Sequence, residues 1–127
     1  MRQTGVPTAV RRLIAERIES VQQLEILLLL RAAPDKGWSS REVARALVTR
    51  VESSEDWLQR MTRDELLVRD GEEYRYAPAT PELDHTVDGL AETYAKYRVA
   101  VVTLIFSRPS ERVRTFSDAF RIRRRKD

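Results

Sequence analysis

The sequence predicts a mainly α chain with one small β-hairpin, and three observations carry that expectation. Residues that cap helices recur ahead of apolar stretches of helical periodicity, at Ser20, at Ser39 and at Ser53 or Ser54. Asp70-Gly71 stands between two short apolar or aromatic runs, where glycine tolerates the positive φ that a tight hairpin demands. From Leu83 to Leu104, apolar residues recur at alternating steps of four and three.

The elements follow in order. Met1 to Pro7 has no periodicity and reads as a loose arm, ending where Thr8 can cap a first helix that runs to about Glu19. Val10, Leu13, Ile14 and Ile18 give that helix one buried stripe, which needs a partner. Ser20 opens the next helix, whose Leu24 and Ile26 to Leu30 are apolar nearly all round and therefore central, until Pro34, Asp35 and Gly37 end it. Ser39 with Glu42 forms a capping box ahead of Val43, Ala44 and Leu47, and Trp38 just before it suits a staple at the helix entrance. Ser53 or Ser54 then caps a helix that turns Trp57, Leu58 and Met61 inward and Gln59, Arg60, Arg63 and Asp64 outward. Leu66 to Val68 and Tyr74 to Tyr76 form the arms of the hairpin.

Pro78 and Pro81 stop the second strand and start a long helix to Ser107. Its repeat of Leu83, Val87, Leu90, Tyr94, Tyr97, Val101 and Leu104 makes a coiled-coil seam of about three heptads. Such a seam pairs with another helix, either in a second chain or in the helix from Thr8 of the same chain. Arg108 and Pro109 break the long helix, and Ser110 and Glu111 start a last one with Val113, Phe116 and Phe120 on one face. The expected organisation is residues 8–80 as a compact unit, 81–107 as a long helix for dimerisation, and 108–127 as a basic amphipathic helix and tail.

Composition narrows the function. The chain has 127 residues and no cysteine, which excludes disulfides and thiolate metal sites, and no leader for secretion is apparent, so the expected compartment is the cytoplasm. The segment from Arg108 carries eight Lys and Arg against three Asp and Glu, so it holds +5 while the whole chain totals +3 and the remainder is left at −2. A polyanion would meet Arg121, Arg123, Arg124, Arg125 and Lys126 first. The single histidine, His85, lacks a second ligand, and no cofactor or metal site is expected. The serines stand where caps are needed, and no nucleophile with a base, nor a glycine-rich phosphate loop, points to an enzyme.

The order helix, short helix, turn, amphipathic helix and hairpin is that of a winged helix-turn-helix. The segment from Ser39 to Pro78 resembles the winged-helix domains of small bacterial transcriptional regulators. Glu42-Val43-Ala44-Arg45-Ala46-Leu47 stands where these have a Glu-apolar-Ala-x-x-Leu first helix, Trp57, Leu58 and Met61 stand at core positions of the second, and Leu66-Leu67-Val68 precedes the wing. The resemblance implies a dimeric, DNA-binding regulator, with the helix from Ser53 in the major groove and the hairpin near the backbone.

The residues expected to contact duplex DNA are Arg41, Arg50, Ser53, Ser54, Gln59, Arg60, Arg63, Arg69 and Arg75. Glu52, Glu55 and Asp56 depart from the small or basic residues usual at the start of a reading helix, and carboxylates repel phosphates. The alternative is therefore a winged-helix module that binds protein while its basic tail reaches an anionic membrane or RNA. Tyr94 and Tyr97 fit dimer packing rather than a small-molecule pocket.

Overall fold

A computed structural model describes residues 5–107. Among them are α1 (Thr8–Arg17), α2 (Val21–Ala32), α3 (Ser40–Leu47), α4 (Val51–Arg63), β1 (Leu67–Asp70), β2 (Glu73–Tyr76), α5 (Pro81–Lys96) and α6 (Arg98–Ser107). α2 is the centre: Leu24, Ile26, Leu27 and Leu30 have no solvent exposure, and α3, α4 and β2 all pack on it. A leucine buried this completely contributes roughly 1.5–3 kcal/mol, so covering α2 dictates where its neighbours lie. Ser20 caps it by accepting from Gln23 N, as its position predicts. The buried Gln23 side chain donates to Arg17 O and accepts from Glu19 N, both at 2.7 Å, and so closes the corner between α1 and α2.

α1 is shorter than expected. It ends at Arg17, and its N-cap is Pro7, without the side-chain bond assigned to Thr8. The capping box at α3 is present in full, with Glu42 N to Ser39 Oγ at 3.1 Å and Ser39 N to Glu42 Oε1 at 3.0 Å. The expected cap of α4 is corrected. The helix starts at Val51 behind Arg50, which makes no side-chain cap bond. Ser54 lies inside the helix, fully buried against Thr49 Oγ1 at 2.8 Å, and Ser53 donates to Gln22 Oε1 on α2 at 2.8 Å. Both hydroxyls fix α4 to its neighbours rather than to its own first turn.

Both ends of α4 adjoin left-handed residues. Val48, the C-cap of α3, has φ 55 and ψ 56, and Glu65, after α4, has φ 68. At Glu65 the backbone closes a Schellman motif, with Leu66 N to Met61 O at 3.0 Å and Glu65 N to Thr62 O at 3.1 Å, over the apolar contact of buried Leu66 and Met61. Arg17 donates to Asp64 O at the same helix end, where a cation is favoured.

β1 and β2 pair antiparallel, with Leu67 opposite Tyr76 and Asp70 opposite Glu73. The turn is therefore Gly71-Glu72, and Gly71 supplies its positive φ of 66. Trp38 adds a bridge on the free edge of β2, where Trp38 N to Tyr74 O is 2.8 Å and Tyr74 N to Trp38 O is 2.7 Å. Three helices on a hairpin whose second strand is flanked on both sides make this a winged helix-turn-helix. Trp38 thus acts through its backbone as a short strand.

The single long helix from Pro81 to Ser107 is also corrected. Thr80 caps α5 with Pro81 at its first position, but Tyr97, at φ −132 and ψ 56, ends it, and α6 starts at once. The elbow lets α5 and α6 both lie on α1 and on each other. Val87, Leu90 and Val101 of the seam are fully buried with Val10, Leu13 and Ile14; Leu83, Tyr94 and Leu104 are half-buried on that core; Tyr97 is exposed. At Gly89 a Cβ would stand 3.2 Å from Val10 Cγ2, which marks how closely the helices approach. Within the chain, the seam packs on the helix from Thr8, where it covers the stripe of α1. The last helix and the basic cluster lie outside the described residues.

A β-branched residue in the left-handed region costs roughly 1–2 kcal/mol, and Val48, 91% exposed, loses no packing when truncated. Val48→Gly is expected to raise stability by about 0.5–1 kcal/mol after the entropy of glycine in the unfolded chain is subtracted, as measured by chemical denaturation.

Candidate nucleic-acid interface

α4 turns Ser54, Leu58 and Met61 into the core, so helical geometry directs Glu52, Asp56, Gln59 and Arg63 outward. Arg63 is exposed, and its side chain makes no hydrogen bond or ion pair among the described residues. Arg50 and Glu52 form a loose pair at 3.9 Å with both side chains at least 80% exposed, an interaction that contributes little. Arg60 is turned away from this face. It pairs with Glu19 Oε2 at 2.6 Å and lies over the Trp57 ring, which ties α4 to the corner between α1 and α2. Half-buried Trp57 in turn donates from Nε1 to Gln22 Oε1 at 3.2 Å.

Two hollows open between α4 and the hairpin, and they share Arg69. The first, of about 370 Å³, is lined by Ser39, Ser40, Arg41, Val51, Glu55, Arg69 and Glu72. The second, of about 230 Å³, is lined by Gln59, Thr62, Arg63, Arg69 and Tyr74. Arg41 of α3, Arg63 of α4 and Arg69 of β1 thus border one continuous surface. Arg75 is not brought to it: it stands opposite Val68, on the sheet face away from Arg69 and Tyr74. Ser53 and Ser54 are engaged within the fold, so of the nine expected contacts Arg41, Gln59, Arg63 and Arg69 line this surface. Arg121, Arg123, Arg124, Arg125 and Lys126 lie outside the described residues.

Glu55 has a role that the sequence reading missed. Its Oε2 accepts from Tyr74 Oη at 2.8 Å and from Gln59 Nε2 at 2.7 Å. Burial disfavours its charge, but hydrogen bonds from Gln59, Tyr74 and Ser40 and the charge of Arg69 outweigh it and hold the carboxyl below its usual value. Tyr74 is pushed up, first by burial and then by Glu55, so its hydroxyl remains a donor. The i,i+4 spacing of Glu55 and Gln59 was the one local hint. The bond to Tyr74 joins residues that only the fold brings together.

Elsewhere, Tyr94 donates to Glu25 Oε2 at 3.2 Å with Arg98 over its ring, which is packing with the hydroxyl at the rim. Among the described residues there is no cluster of His, Asp and Glu able to hold a metal ion, and no helix is long and apolar enough to cross a membrane.

No family model matches the chain, and no curated protein matches it. Among solved structures it is similar to a mutant of S. aureus MepR bound to an oligodeoxyribonucleotide. The identity is 16%, covering 92% of this chain and 88% of that one, with a TM-score of 0.48.

A carboxyl whose pKa is lowered on folding adds stability that is present above its unfolded value and is lost as the pH falls through the folded one. Glutamine mimics the protonated acid. Wild type is therefore expected to be more stable than Glu55→Gln at neutral pH, and the gap should close as the pH falls below 4.5, as followed by denaturant titrations across that range.

Proposed function

We propose that the chain is a winged-helix DNA-binding regulator of transcription. The observation that carries this reading is the convergence of Arg41, Arg63 and Arg69, from three different elements, on the two hollows that flank the outward face of α4. Phosphates approach such a surface from both sides of an inserted helix, and the cations there fix register while side chains such as Gln59 meet base edges. Glu55 weighs less than its charge suggests, because Tyr74 and Gln59 engage its carboxylate.

The reading includes association of two copies, since regulators of this shape read two half-sites. With Val87, Leu90 and Val101 of the seam buried within the chain, α6 offers a surface for it: Val99 and Phe106 are both 78% exposed and lie two turns apart on one side of that helix. The observation that would favour the protein-binding alternative, an exposed apolar patch over α4, is not found among the described residues. Of the large apolar residues exposed among those described, only Val51 belongs to that helix.

The test is fluorescence anisotropy of a mixed-sequence duplex over a range of salt. Arg63→Ala combined with Arg69→Ala is expected to weaken binding several-fold and to flatten the dependence of log affinity on log salt by about 1.8, the equivalent of two phosphate contacts. Unchanged affinity overturns the reading. Arg60→Ala is expected to leave that slope intact and to lower stability instead, because it removes the 2.6 Å ion pair with half-buried Glu19.

A further inference from the structure

Glu55 is an acid on the helix that the proposed function sets against DNA, and by charge alone it is an obstacle. Its contacts give it another part. Tyr74, 1% exposed, is bonded through its backbone to Trp38 on one side and stands opposite Arg69 on the other. Its hydroxyl reaches Glu55 at 2.8 Å, while the Arg69 guanidinium lies 5.3 Å above its ring and Arg69 Nε donates to Gly71 O at 2.9 Å. A line of contacts therefore runs from α4 through a buried phenol to the exposed cation and the tip of the wing.

A two-stranded hairpin is marginal by itself and takes its orientation from what it packs on. Here the phenol–carboxylate bond is a direct side-chain link between β2 and the outward part of α4, and the charge on its acceptor strengthens it. On this basis, and resting on the DNA-binding reading, we infer that Glu55 and Tyr74 are positioning residues that hold Arg69 of the wing at a fixed place beside α4, so that Glu55 promotes duplex binding although it adds negative charge to the face. Plain repulsion predicts the opposite sign. Removing the carboxylate would then tighten binding whatever replaces it, whereas positioning requires that an acceptor for Tyr74 remain.

The experiment compares the full chain with Glu55→Ala, Glu55→Gln, Tyr74→Phe and Arg69→Ala by anisotropy of the same duplex at several salt concentrations. Glu55→Ala is expected to bind several-fold more weakly and to lose about 0.9 of the salt slope, as Arg69→Ala does, because one phosphate contact is no longer held in place. Glu55→Gln keeps an acceptor without the charge and is expected to bind at least as tightly as wild type. Tyr74→Phe is expected to follow Glu55→Ala, and if it unfolds, the two Glu55 variants, at a half-buried surface position, decide the matter. Tighter binding by Glu55→Ala, or a salt slope equal to that of wild type, overturns the positioning role alone. Failure of wild type to bind at low salt overturns the DNA-binding reading and this inference with it.

Discussion

The constraint on which the rest of the structure depends is the apolar surface of α2. A helix with apolar residues on nearly every side cannot be satisfied by one neighbour, and here α3, α4 and β2 close around it. The orientation of α4 follows. Leu58 and Met61 point to the common core, while Gln22 of α2 accepts from both Ser53 and Trp57, so one amide fixes the rotation of the helix about its axis. The far side of the molecule is set by polar ties to the same helix: Arg31 meets Asp88 of α5 at 2.8 Å, and Glu25 meets Tyr94 and Arg98.

This frame explains how a chain with so many acids presents cations on one surface. Acids and bases near α4 are sorted by geometry rather than by number. Arg60 and Glu19 neutralise each other at the corner of α1 and α2, and Glu55 is directed into the wing. Arg41 and Arg63 border the two hollows, with Arg69 between them. Counting charges along the helix gives a hostile surface. Partnering them gives a mixed one whose cations stand at its borders.

Much of the fold was legible in the sequence because its strongest signals are local. The capping box at Ser39 and Glu42, the cap at Ser20, the turn at Gly71 and the stripes of α1 and α2 each depend on residues within about one turn of one another. Legibility ended where distant segments decide. Ser54 has the chemistry of a cap, but burial against Thr49 takes it into the helix. The heptad from Leu83 spans two helices whose buried members pack on α1 within the chain, and nothing in the spacing marks the elbow at Tyr97. The candidate site was half legible. Arg41, Gln59, Arg63 and Arg69 could be named from helical and hairpin geometry, whereas the bridge of Trp38 to Tyr74 and the bond of Tyr74 to Glu55 join positions far apart in the chain.

The two tryptophans of the chain stand at opposite flanks of the motif and see different surroundings. Trp38 sits at the edge of the wing sheet, with the Lys36 ammonium 4.5 Å from its ring centroid and its indole N–H buried without a hydrogen-bond partner among the described residues. Trp57 sits on α4, with its N–H on Gln22 and the Arg60 guanidinium over its ring. One indole is thus an optical reporter of the wing and the other of the seat of α4 on α2. With each replaced in turn by phenylalanine, the emission of the other would show whether wing and helix open as one cooperative unit or in separate steps.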